Sequence, residues 1–147
     1  MKKLTPPTFM FYCLLGMITL RWIFPLGLMS NRVFLVFGVW FIVLGLVAAF
    51  GAESQFRRIN TTVDHLGVPT KLVTDGWFKH SRNPMYLSLA LVLTGAWLAL
   101  GSISPLLGIL VYLFLTERYY IMPEEKRLMT AFGKEYESYQ TRTRRWL

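Results

Sequence analysis

A chain of 147 residues, 54% hydrophobic and 16% aromatic, is too short and too apolar for a soluble two-domain protein and reads as one integral membrane domain. The formal charge of +8 comes from Lys and Arg in the gaps between apolar runs, so the continuous basic face that a nucleic acid needs is missing and the cations read as topology signals and lipid-headgroup contacts. The single cysteine, Cys13, excludes an internal disulfide and lies in an apolar run, where a thiol behaves as a small hydrophobe.

The first apolar run spans residues 7–29, past Arg21 and Pro25. The Met1-Lys2-Lys3 start resembles a signal peptide, but Arg21, Trp22 and Pro25 offer no small-x-small cleavage site, and a retained span is expected. Arg21 is expected to snorkel to the far interface or to pair inside the bundle. Residues 33–51 are uncharged up to Gly51 and form a second span, with Asn31 and Arg32 as a short outer turn. Residues 52–84 are the one long polar connection, and Val68, Leu72, Val73, Trp77 and Phe78 argue that it folds back on the membrane surface.

A helix is expected to start at Asn83-Pro84: Asn83 is a good N-cap, its side-chain oxygen accepting from first-turn amides, and Pro84 suits the first helical position. The runs at 85–101 and 103–122, joined through Ser102, Ser104 and Pro105, form an antiparallel hairpin, and Pro123 ends the fourth helix or starts a new one. Leu128, Phe132, Tyr136 and Tyr139 recur at spacings of three and four on a charged segment, the mark of an amphipathic helix over 124–145, and the tail Arg142-Thr143-Arg144-Arg145-Trp146 places it on the membrane surface.

The long loop carries five Lys or Arg, the segment after Pro123 six and the N-terminus two, whereas the joint between the third and fourth runs has none. The positive-inside rule then gives an all-α integral membrane domain of four transmembrane helices with both termini cytosolic. The long loop, the start of the third helix and the C-terminal helix meet at one membrane face.

The bland readings of the polar residues are a cap for Asn83-Pro84, an interfacial belt for Tyr86, helix-dipole acids for Glu124 and Glu125, and a surface pair for Glu117 and Arg118. Dinucleotide fingerprints, P-loops, nucleophile elbows and metal-ligand spacings are all missing, and His65 and His80 have too little support to be ligands or catalysts. What raises the functional reading is the meeting of an arginine, two carboxylates and a folded-back loop at one interface.

The order Leu72-Val73-Thr74-Asp75-Gly76-Trp77-Phe78, Ser81-Arg82-Asn83-Pro84-Met85-Tyr86 and Glu124-Glu125, followed by Leu128, Phe132-Gly133, Glu135-Tyr136 and Tyr139, resembles the membrane methyltransferases of the isoprenylcysteine carboxyl methyltransferase and phospholipid methyltransferase superfamily. Their signature is L-V-T-x-G-x-[YF], an R-H-P-x-Y box and a distal E-E followed by F-G-x-E-Y-x-x-Y; the resemblance covers about half the chain. It implies S-adenosylmethionine as cofactor, held at the cytosolic face without a Rossmann domain. Leu72, Val73 and Phe78 would contact it from the loop, Arg82 would orient its carboxylate or Glu124, Asn83, Pro84, Met85 and Tyr86 would line the pocket, and Glu124 and Glu125 would accept hydrogen bonds.

Asn83 replaces the box histidine and cannot titrate near neutrality, so a proton shuttle there is not expected. Tyr120 occupies the place of the substrate-contacting arginine of the protein carboxyl methyltransferases, four residues before the first paired glutamate; it is the candidate substrate contact, with carboxylate recognition unsupported by a matched residue. The expected partners are the bilayer and a lipophilic or lipidated acceptor, with no nucleic acid and no metal. The setting implied is the bacterial inner membrane or the archaeal cell membrane. Phospholipid or small-amine N-methylation, a non-catalytic lipid-binding protein and, last, a four-helix transporter are the competing readings.

Overall fold

The computed structural model describes residues 4–28, 31–58 and 71–147, with side chains up to residue 55 in the second segment. His65, Val68 and the middle of the long loop lie outside them. Among the described residues the regular elements are all helices, with one isolated bridge, Leu28 to Ser102. Two stretches are long and apolar enough to cross a membrane, Arg32–Gln55 and Leu106–Phe132, and Pro84–Leu100 is a shorter apolar helix of 17 residues.

Helix α1 (Pro6–Ile23) starts on Pro6 and Pro7 and stops well short of residue 29. Pro25 is the reason: the residue before a proline is pushed out of the helical region, and Phe24 stands at φ −138° and ψ 65°. The chain then runs extended against the joint that follows the third run, Ile103 N–H and Ser102 Oγ both donating to Leu26 O at 2.9 and 2.8 Å. Arg21 does not reach outward: its Nε donates to the carbonyl of Leu100 at 2.8 Å, a cation on a helix C-terminus.

Helix α2 (Arg32–Arg58) runs past the polar boundary expected at residue 51. It packs along α4 (Pro84–Leu100) through a seam of small residues. A Cβ built on Gly38 would stand 2.7 Å from the carbonyl of Gly95, one on Gly45 2.7 Å from that of Ser88, and one on Gly95 2.4 Å from that of Gly38. Close backbone approach of this kind is how helices associate where lipid removes the hydrophobic drive between them. The other face of α2 exposes Val36, Phe37, Trp40, Val47 and Phe50, an apolar surface suited to acyl chains. Because the seam meets backbone, Gly95→Leu is expected to part the two helices and lower the melting temperature in detergent, by an overpacking penalty of about 1–3 kcal/mol or more; Val36→Leu, on the exposed face of α2, serves as the control.

Helix α1 and helix α5 (Leu106–Thr116) close on α4 around Cys13, Met17, Ala90, Leu93, Ile109 and Tyr112. Pro123 neither ends the fourth helix nor starts a separate one. Residues Glu117–Ile121 widen into a π turn, Met122 N–H donating five residues back to Glu117 O, and the helix continues as α6 (Met122–Phe132). In a regular turn the proline ring would strike the carbonyl of Tyr119 four residues back; the wider turn removes that clash.

The single amphipathic helix expected over 124–145 is divided. Gly133, at φ 48°, breaks it into α6 and α7 (Lys134–Arg142); a Cβ there would touch nothing, so it is the left-handed backbone that requires glycine. Residues 143–147 then turn back over the polar end of the bundle. Tyr136 and Tyr139 of α7 bury themselves with Val73, Phe78, Leu128 and Phe132, tying α7 to the loop, and Tyr139 Oη donates to Phe78 O at 2.6 Å.

Candidate functional site

The polar end of α4 is built from three pieces. Gln55 of α2 brackets the approach to it, Nε2 donating to Asp75 O at 2.6 Å and Oε1 accepting from Trp77 N–H at 3.2 Å. Between those contacts Gly76 takes φ 60°, with Gln55 too close to leave room for a side chain. One turn, α3 (Trp77–His80), follows, and the chain enters α4 through Ser81, Arg82 and Asn83.

Asn83 does not cap α4 with its side chain. Its Nδ2 donates instead to the carbonyl of Arg145 at 3.1 Å, and its backbone N–H donates to Ser81 Oγ, also at 3.1 Å. Ser81 Oγ in turn reaches Arg145 O at 3.3 Å, and Arg82 N–H reaches Arg144 O at 2.9 Å. The residue read as a helix cap is a clamp on the tail: the returning carbonyl of Arg145 holds its Nδ2, and its Oδ1 makes no cap hydrogen bond to the first turn.

Arg82 is mostly buried, and its guanidinium is directed into the protein. Nε and Nη2 donate to Glu125 Oε1 at 3.2 and 2.9 Å, and Nη1 donates to the carbonyls of Gln140 and Thr143 at 3.2 and 3.0 Å. It therefore holds Glu125 and α7, where the resemblance gave it a cofactor carboxylate or Glu124. The second oxygen of Glu125 accepts from Arg145 Nη2 at 2.7 Å, and Arg145 Nη1 donates to Glu117. Glu117 thus pairs with Arg145, not with its neighbour Arg118, and Arg145, read from the sequence as a headgroup cation, is part of the site. The hydrogen bonds that Arg145 donates to Glu125 raise its already high proton affinity.

Within this chain of charges two acids and two guanidiniums balance. Glu124 stands apart from it, half-buried, its Oε2 accepting from Tyr86 Oη at 2.9 Å. Tyr86 is buried, its ring 6.3 Å from that of Tyr120, which stacks on Phe9 at 6.0 Å and donates its hydroxyl to Leu4 O at 2.9 Å. So the paired glutamates do separate work: one is locked between arginines, the other is offered by a tyrosine at the end of an apolar bundle.

Of the remaining loop residues, Val73 and Phe78 are buried against α7, Leu72 and Met85 are half-buried, and Pro84 is buried at the first position of α4. His80 is exposed at the end of α3. Among the described residues no three His, Cys, Asp or Glu side chains are grouped to hold a metal ion. The tail partners Gln140, Thr143, Arg144 and Arg145 were missed by sequence reasoning; the only signal for them was a glycine, Gly133, where an uninterrupted helix was expected.

Burial raises the phenols that dock α7. Loss of solvent, and then the nearby Glu125 charge, push Tyr136 from 10.0 up to about 12, and Tyr139 rises for the same first reason. A folded-state value above the unfolded one means that this stabilisation is complete below pH 10.0 and is lost as the pH climbs through about 12. Tyrosinate absorbance is expected to appear in that window together with protease sensitivity of residues 134–147, and Tyr136→Phe removes its share of the titration.

The family model described as phospholipid methyltransferase matches residues 33–135, a range that includes the seam, the π turn and both glutamates. An uncharacterized protein of Haemophilus influenzae is 40% identical over 63 residues, 43% of this chain and 100% of that protein. A protein-S-isoprenylcysteine O-methyltransferase of Schizosaccharomyces pombe is 30% identical over 123 residues, 82% of this chain but 49% of that protein, so the chain spans about half of its length. No solved structure matches.

Proposed function

The chain belongs to the phospholipid methyltransferase family, and from that premise we propose that it transfers a methyl group from S-adenosylmethionine to a lipophilic acceptor that reaches the site from the bilayer. The observation that carries this reading is Glu124, a half-buried carboxylate presented by Tyr86 where α4 meets α6, at the boundary of an apolar bundle. A nucleoside amino acid carries hydroxyls and an ammonium that such an acceptor suits, and half-buried Leu72 and Met85 add apolar surface. The residues present fit the cofactor.

When bound, the cofactor supplies a methyl already made electrophilic by its sulfonium. What is left to the protein is alignment and exclusion of water. In the proposed site Glu124 receives hydrogen bonds from the cofactor, Tyr86 fixes that carboxylate, Asn83, Pro84 and Met85 line the start of α4, and Leu72, Val73 and Phe78 form the loop side. Arg82 and Glu125 act as the frame that holds these groups. No residue is assigned a covalent role. Asn83 has a carboxamide, which binds and positions without exchanging a proton. Tyr120, between Phe9 and Tyr86, is the proposed contact for the acceptor, which fits an aromatic and apolar approach more than an anionic one.

The proposed topology has four spans, α1, α2, α4 and α5 continued into α6, with both termini and the site on the cytosolic side, a reading that the distribution of Lys and Arg supports. The bacterial inner membrane or archaeal cell membrane is the proposed location. The isoprenylcysteine O-methyltransferase among the relatives and the phospholipid name of the family leave S-isoprenylcysteine oxygens, phospholipids and small amines as acceptor classes. Purified protein given labelled S-adenosylmethionine and a membrane lipid extract is expected to label a lipid-phase product. Absence of cofactor binding, or full labelling by both Asn83→Ala and Glu124→Ala, would sink the reading.

A further inference from the structure

The π turn Glu117–Ile121 stands between the apolar part of its helix and the two glutamates, so it decides which side chains of α6 face α4. A π turn absorbs one extra residue. Straightening it would advance everything after it by one position, a rotation of about 100° and a rise of about 1.5 Å. Pro123 would move to the place of Glu124, Glu124 to that of Glu125, and Glu125 to that of exposed Lys126. Tyr86 would then face a proline, and Arg82 would face the wrong acid.

Two features oppose that slip. Pro123 excludes the regular turn, since its ring would strike the carbonyl of Tyr119. Arg145 spans the turn from outside: one guanidinium nitrogen holds Glu117, its first residue, and another holds Glu125, four residues past its end. The guanidinium is planar and its donors are fixed in a fork, so it joins the two carboxylates at a set separation that a point charge would not impose.

We infer that the π turn is a register device and that Arg145 is a positioning residue which acts through it, keeping Glu124 on Tyr86 and Glu125 on Arg82. The inference rests on the proposed function only where Glu124 is taken to face a ligand. The register itself can be read without one.

In a Cys13→Ser background, spin labels at Lys79→Cys and Lys126→Cys, both exposed positions, report the rotation of α6 as a change of distance. Pro123→Ala alone is expected to keep the parent distance, because the Arg145 bridge still spans the turn. Adding Arg145→Ala is expected to shift it by up to about 8 Å, the displacement of a side chain at the rim of a helix turned through about 100°. Deleting Tyr119, an exposed residue of the turn, in that double variant removes the extra residue and is expected to restore the parent distance on a regular helix.

A full shift in Pro123→Ala alone, an unchanged distance in the double variant, or no recovery on deletion would each overturn the inference. The last result would mark Arg145 as a general stabiliser, since loosening of the fold is not cured by deleting a residue. Affinity for S-adenosylhomocysteine, measured in parallel, is expected to fall at least tenfold in the double variant and to return with the deletion. Distances that follow this pattern with no affinity in any variant would retain the register device and reject the cofactor reading.

Discussion

Glu125→Ala is expected to be the most destabilising single substitution in the protein. Glu125 is 9% exposed and accepts from two guanidiniums, of which Arg82 is itself nearly buried. Truncating one member of such a cluster leaves like charges facing each other without their counter-ion, and costs about 3–5 kcal/mol where the group is buried. Arg145 is a third exposed and recovers part of that through water and Glu117, so the lower end of the range applies. The melting temperature in detergent should fall, and residues 134–147 should become protease-sensitive at a temperature where the membrane helices remain folded. Glu125→Gln, which keeps two polar atoms but no charge, should fall between the two. An Ala variant as stable as the parent would show that the ion chain does not hold the tail.

Glu124→Ala is expected to have the opposite signature, a large functional loss with little change in stability. Its partner is a neutral hydroxyl, and the residue is half-buried, so the fold loses one hydrogen bond, about 1 kcal/mol. In the proposed site, however, it is the carboxylate that the ligand meets, and hydrogen bonds to a charged group contribute about 1.5–3 kcal/mol, a factor of about 10 to 150 in affinity. Titration with S-adenosylhomocysteine checks this. Tyr86→Phe should lose less, because the carboxylate remains and only its orientation is relaxed. Equal affinity in parent and Glu124→Ala would remove Glu124 from the site.

The helical class and the meeting of the Arg82–Tyr86 box with the paired glutamates were legible from the sequence, since uncharged runs and the order of motifs leave few other arrangements. Which glutamate meets which partner was not. Pro123 was visible, but whether a proline ends a helix or is absorbed by a wide turn depends on what holds the far side of that turn, and here the holder is Arg145, more than twenty residues on. Arg145 looked like a headgroup cation because a basic run beside a tryptophan has the same composition whether it faces lipid or folds back onto carboxylates. Asn83 looked like a cap for a similar reason: the propensity is local, and the carbonyl that holds its Nδ2 comes from the other end of the chain. Arg21 showed its pairing only when the end of α4 was beside it.

The fastening of α1 bears on the route of the proposed acceptor. Its far end is riveted by Arg21 on Leu100 O and, just beyond, by the paired backbone at Leu26, whereas its near end hangs from Tyr120 on Leu4 O and from stacked rings. In the topology proposed above the tethered end, beside Tyr120 and Tyr86, lies toward the inner leaflet, so the proposed acceptor would pass the end of α1 that is held by the fewer hydrogen bonds.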